Sequence, residues 1–241
     1  MRYPPPGQLG PRAISAWGLC TQAADVRVEG GENVPATGPV MLVARHFHHL
    51  LDGAVLVRRL RRPIHIVVGL DWAADGGQRR MMEWACRWAQ YPIVLRRPTL
   101  AVTGSYQRDE LVRYTRAALR ETTCLLRAGR VVLVFPEGYP NVDPCGSRKP
   151  ALDGWLPFEP GFLKMIEIAE RDGTTDVALV PVGFNYTRAG RGRWSIVARI
   201  GPPLAHFERT TASVNAVIRR LSATASGPPS ACAPLEDAPP A

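Results

Sequence analysis

The chain has 241 residues, 46% of them hydrophobic, and a formal net charge of +9. That length suits one domain that buries a full core without disulfides or structural metal, and the apolar content excludes wholesale disorder. The positive balance asks for an acidic partner: nucleic acid, an anionic membrane or a phosphorylated substrate.

Arginine supplies almost all of the charge, since Lys149 and Lys164 are the only lysines. Arginine binds phosphate as a fork. Residues 1–57 are neutral overall, residues 58–97 set nine arginines against Asp71, Asp75 and Glu83, and residues 98–241 add a net +3. Two thirds of the excess therefore lies in forty residues. No nucleic-acid motif accompanies it, and the charge is not a lysine-rich stripe, so nucleic acid is not the expected partner. Cys20, Cys86, Cys124, Cys145 and Cys232 are scattered, without a CxxC pair. This argues against a disulfide framework or a zinc site and for a reducing compartment. No apolar run reaches the ~18 residues of a membrane span, and MRYPPPGQLGPR lacks the apolar stretch of a secretory signal.

Residues 1–24 read as a lead segment, irregular to residue 13 and a short helix over 14–24 with Trp17 on its apolar side. DVRVEG from Asp25 alternates as a half-buried strand. After the turn-rich ENVPATGP, PVMLVAR is a buried strand, HFHHLLDG a loop, and AVLVRRLRR the body of a helix that Pro63 stops. IHIVVGL is the next strand, GQRRMMEWACRWAQ an amphipathic helix, and YPIVLRR a further short strand. DELVRYTRAALRETTCLLRAG has apolar residues at helical spacing and closes on Gly129. VVLVF is a strand that runs into PEGYPNVDP. EPGFLKMIEIAERDG is a helix, VALVPVGFNYT and RWSIVARI are strands, and ASVNAVIRRLSATA is the last helix. Residues 226–241 have the composition of a disordered tail. Strands alternating with helices indicate one α/β domain over 25–225, a mixed, mostly parallel sheet flanked by helices. Ligands of such sheets bind beyond the carboxyl ends of the strands, here the loops after Arg45, Arg97 and Phe135.

Three of those loops carry chemistry. ARHFHHLLDG puts His46, His48 and His49 just after a buried strand with Asp52 a few residues on. Imidazole suits general-base work near neutrality, and a carboxylate that accepts its ring N–H fixes the tautomer and raises its basicity. His46-Phe47-His48 also opens like the HxHxDH of dinuclear metallohydrolases, but Leu50 and Leu51 stand where its Asp and His belong, so no metal site is expected. In VVLVFPEGYPN, Gly138 allows close approach of a ligand, and Glu137 either binds substrate hydroxyls or orders a histidine. Arg96 and Arg97 end a strand and are placed to fork onto phosphate.

In their order, VARHFHHLLDG, PIVLRR, VFPEGYPN and LVPVGFN resemble the blocks of the glycerophospholipid (lysophospholipid) acyltransferase family over roughly residues 25–205, and ENVPATGPV and IGPPL fit too. The resemblance implies an acyltransferase-like fold, with fatty acyl transfer from acyl-CoA or acyl carrier protein to the hydroxyl of a lysophospholipid, glycerol 3-phosphate or related lipid. It implies a His base paired with Asp52, acceptor binding by Arg96, Glu137, Gly138 and Tyr139, and no cofactor beyond the thioester co-substrate. This chain departs from the family twice. The family keeps four residues between His and Asp, a spacing that here falls on Phe47. His46 matches by its place after the strand, whereas His48 stands one helical turn before Asp52. Tyr139-Pro140-Asn141 replaces a Thr-Arg-Ser block, leaving Arg148 and Lys149 as candidates for the missing positive charge. The expected setting is cytoplasmic, peripheral on the inner face of the cell membrane, where residues 58–97 with Trp72, Trp84, Trp88, Met81 and Met82 offer a basic, aromatic surface to anionic lipid. A non-catalytic lipid-binding relative and a metal-dependent hydrolase are the alternatives.

Overall fold

The structure, a computed structural model, describes residues 8–73, 75–96, 106–144 and 146–223. The expected 226–241 tail, Arg97 and Cys145 lie outside them.

The chain opens with helix α1, Leu9–Gln22. It starts five residues earlier than its composition suggests. Pro11 lies in the first turn, where a backbone N–H has no intrahelical acceptor, so the proline costs little there. Strand β1 (Ala23–Glu29) leads to β2 (Val40–Ala44), and α2 (Leu51–Arg59) follows. The run IHIVVGL is two strands rather than one. β3 (Ile64–Ile66) stays in the main sheet, while β4 (Val68–Gly69) turns away to pair with β5 (Ile93–Val94). Between these lies α3 (Gly76–Ala89), capped by the Asp75 carboxylate on the Gly77 and Gln78 N–H groups. Then come α4 (Arg108–Arg127), β6 (Val131–Val134), α5 (Gly161–Glu170), β7 (Ala178–Arg188), β8 (Trp194–Ile200) and α6 (Thr211–Ser222).

The main sheet has the order β1-β8-β7-β2-β6-β3. Every neighbouring pair is parallel except β7 and β8. This is the single α/β domain, mostly parallel and helix-flanked, that the alternation of elements predicts. All five residues of β2 are fully buried, which explains their unbroken apolar run. Val40, Leu42 and Ala44 face α1 and α2. Met41 and Val43 face α4, α5 and α6 across the sheet. A smaller cluster of Leu70, Ala73, Cys86, Ile93 and Leu95 sits under α3. Because β2 and β6 are parallel neighbours, the loops that leave their carboxyl ends come together. Among the described residues, no helix is long and apolar enough to cross a membrane.

Candidate active site

The loop after β2 pairs with the loop after β6. The Val142 N–H donates to Phe47 O (2.7 Å), the His49 N–H to Val142 O (3.1 Å), and the Arg45 N–H to Val182 O (3.2 Å). Phe47 drops into the core. His46, one residue earlier, turns the other way and stacks on Phe135, ring centroids 4.2 Å apart and 18° from parallel.

Asp52 lies in the first turn of α2, where the helix dipole favours an anion, and it is fully buried. Its Oδ2 lies 3.0 Å from His46 Nδ1 and accepts the Phe47 and His48 N–H groups at 2.7 and 2.9 Å. Its Oδ1 accepts the Tyr186 hydroxyl at 2.6 Å. This packing resolves the irregular spacing in geometry: the extra residue is taken up by a loop whose N–H groups turn inward onto the carboxylate. With Nδ1 held by Asp52, Nε2 is the ring nitrogen left to face a substrate.

His48 is placed differently. It is buried, and its Nδ1 accepts the Leu50 and Leu51 N–H groups (3.3 and 3.4 Å), capping the start of α2. Burial pushes its pKa down to about 4, so it is neutral across the physiological range.

Glu137 and Lys149 meet at 2.6 Å with neither side chain exposed. Glu137 Oε1 accepts the His46 N–H (3.0 Å), and Oε2 accepts the Leu156 N–H (3.2 Å). The Lys149 ammonium also donates to His46 O (2.6 Å) and Asn141 Oδ1 (2.9 Å). The pair therefore grips the His46 backbone from both sides. Lys149 does not reach the surface expected of a phosphate ligand, because all of these acceptors are internal. Burial lowers its pKa, and Glu137 opposes that.

Gly138 has φ of +72°, a left-handed conformation that favours glycine, and its N–H closes a turn on Phe135 O at 3.0 Å. Its carbonyl accepts from Arg96 Nη1. Arg96 Nε also binds both oxygens of the buried Asp71, at 2.9 and 3.0 Å. The Tyr139 ring is packed by two guanidiniums, those of Arg96 (4.1 Å to the centroid) and exposed Arg148 (5.2 Å). Arg45 is buried over Trp155 at 4.3 Å.

His46, Arg96, Phe135 and Gly138 line a cavity of about 530 Å³ whose other walls are mostly apolar. Ile14 of α1, Gly53, Ala54 and Val57 of α2, and Met82, Ala85 and Cys86 of α3 contribute to it. So do Trp84 and Trp88, stacked 6.5 Å apart and 67% and 45% exposed. Ile14, Trp17 and Met81 are also exposed on these two helices. Among the described residues, no group of three or more His, Cys, Asp or Glu side chains could hold a metal ion.

Sequence reasoning passed over Tyr186, Asp71 and Asn141. Tyr186 had a signal: period two along VPVGFNY sets it on the same face as Val182 and Phe184. Asp71 had none, since only the fold brings it to Arg96.

A histidine held by a buried carboxylate at parallel strand ends thus opens onto a mostly apolar cavity with an arginine among its lining residues, in an α/β fold. A family model for acyltransferases matches residues 25–185, about two thirds of the chain, and the chain belongs to that family. Its fold is similar to the crystal structure of the 1-acyl-sn-glycerophosphate (LPA) acyltransferase of Thermotoga maritima, with a TM-score of 0.53 and 20% identity, covering 88% of this chain and 77% of that one. No curated protein sequence matches the chain.

Proposed function

We propose that this acyltransferase moves a fatty acyl group from a thioester, acyl-CoA or acyl carrier protein, to the hydroxyl of a lysophospholipid, glycerol 3-phosphate or related lipid. The observation that carries the reading is the His46–Asp52 pair at the end of an apolar cavity. The acyl chain occupies that cavity and its thioester carbonyl lies beside His46. As the acceptor oxygen attacks the carbonyl, His46 Nε2 takes the hydroxyl proton, while Asp52 holds the Nδ1–H and stabilises the imidazolium. Collapse of the tetrahedral adduct expels the thiolate, which takes the proton from His46. The products are an ester and a free thiol, and no cofactor takes part.

Arg96 is the acceptor-phosphate ligand in this reading. Asp71 and Gly138 O fix its guanidinium at the cavity rim, and exposed Arg148 packs on the same Tyr139 ring. Glu137 and Lys149 act on His46 through its backbone. The similarly folded Thermotoga maritima enzyme is a 1-acyl-sn-glycerophosphate acyltransferase, which supports a phosphate-bearing lipid acceptor. Exposed Ile14, Trp17, Met81, Trp84 and Trp88, close to Arg80 and Arg87 of α3, form the face that rests on anionic lipid at the inner side of the cell membrane.

The test is purified protein with palmitoyl-CoA and a panel of lysolipids and glycerol 3-phosphate, with products identified by mass spectrometry. Ester formation that His46→Ala abolishes supports the reading. Binding of lysolipid without turnover of either donor class would make the chain a lipid-binding relative.

A further inference from the structure

We propose that Tyr186 is a positioning residue of the catalytic pair: its hydroxyl holds Asp52 and sets how strongly that carboxylate attracts a proton on His46.

The two oxygens of Asp52 are divided between separate parts of the fold. Oδ2 serves the loop after β2, through the His46 ring and the Phe47 and His48 N–H groups. Oδ1 serves β7, through the Tyr186 O–H at 2.6 Å. Without that hydroxyl Asp52 keeps its three partners on Oδ2 and loses only its anchor on β7. Tyr186 is itself held firmly. Its ring stacks on Phe47 (4.3 Å, 12°) and meets Trp194 edge-on (5.7 Å, 87°). Its backbone is paired with Ile196 of β8. Burial and the neighbouring carboxylate keep the phenol protonated, so it is a donor at every working pH.

A donated O–H takes up part of the negative charge of Asp52. The charged and titratable groups around that carboxylate are His46 and His48 from its own loop, Arg45 at the end of β2, and Lys149 with its partner Glu137 from the loop after β6. Tyr186 is the contribution of β7. Removing its hydroxyl leaves the other groups in place and returns charge to Asp52. The His46 imidazolium is then better stabilised and holds its proton to higher pH. A resting histidine that is protonated cannot accept the acceptor's proton, so the acid limb of the rate profile moves up with it.

The proposal rests on the reading of His46 as base, but its first test needs no turnover. The His46 ring signals, assigned by their loss in His46→Gln, are followed by ¹⁵N NMR through a pH titration. Tyr186→Phe keeps the ring stacking and moves the His46 midpoint up relative to wild type. Site-specific 3-fluorotyrosine at position 186, a stronger donor, moves it down. In an Asp52→Asn background Tyr186→Phe has no effect on it. An unmoved midpoint in a folded Tyr186→Phe protein, or with fluorotyrosine if that variant does not fold, overturns the proposal; so does an equal shift in the Asp52→Asn background. A merely structural Tyr186 would lower Tm and leave the midpoint alone. If His46→Ala keeps full transfer activity, the base reading fails while the titration result stands on its own.

Discussion

His46 Nδ1 lies 3.0 Å from Asp52 Oδ2 although five residues separate them, one more than in the family block the chain resembles. The Phe47 and His48 N–H groups turn onto the same oxygen. The longer loop thereby supplies part of the carboxylate's solvation, replacing the water it loses on burial. Asp52→Asn removes the charge that stabilises the imidazolium. It should lower kcat by roughly 10²–10⁴-fold with a smaller effect on KM, measured as thiol release from acyl-CoA in the presence of acceptor.

His48 should report on stability rather than on chemistry. Its pKa is about 4 in the fold and ~6.5 in an unfolded chain. Between those values the unfolded state binds the proton and the folded state does not. Stability therefore falls as pH drops from about 6.5 to about 4, by at most roughly 3.5 kcal/mol in total at ~1.4 kcal/mol per unit. His48→Asn offers α2 a cap that does not titrate. Urea unfolding at several pH values should show the variant losing less stability than the wild type across that window. Equal losses would remove His48 as the source.

The alternation of strands and helices made the domain legible in the sequence, and the apolar run of β2 marked its central strand. That His46, Asp52 and Glu137 come together was legible too, because His46 and Glu137 lie just past strand ends that gather at one edge of a parallel sheet and Asp52 opens the helix that follows. The internal fate of Lys149 was not, since nothing local to GSRKP tells an exposed lysine from one folded back onto Glu137. The split of IHIVVGL between two sheets was equally hidden. Apart from His65 its side chains are apolar, with no break at Val67, and the turn between Ile66 and Val68 is set by the Val67 N–H to Leu133 O bond and by the pairing of Val68 with β5.

Lys149 and Glu137 offer a double-mutant cycle. Lys149→Met leaves a carboxylate buried without its cation, which should destabilise the fold by roughly 3–5 kcal/mol. Adding Glu137→Gln removes the orphan charge and should recover much of that loss. Thermal or urea unfolding of the two singles and the double measures it. A double variant as unstable as the sum of the singles would contradict the pairing.

The cavity makes a prediction about chain length. Ala85 lines it from α3 and is half-buried. Ala85→Phe fills part of the ~530 Å³ without touching His46, and should shift preference toward shorter acyl donors, read as kcat/KM across an acyl-CoA series. Uniform loss across the series would argue against an acyl chain in this cavity.

Trp84 and Trp88 test the membrane face. Replacing both with Ser removes two exposed, stacked rings and should weaken flotation with vesicles rich in anionic lipid. Unchanged flotation would place the membrane contact elsewhere.

The most direct test of the central claim compares His46→Ala with His48→Asn under saturating palmitoyl-CoA and a lysolipid that the wild type esterifies. His46→Ala should lose roughly 10²–10⁴-fold in kcat while His48→Asn stays within a few-fold of wild type near neutral pH. Retained activity in His46→Ala, or its loss in a folded His48→Asn protein, would contradict it.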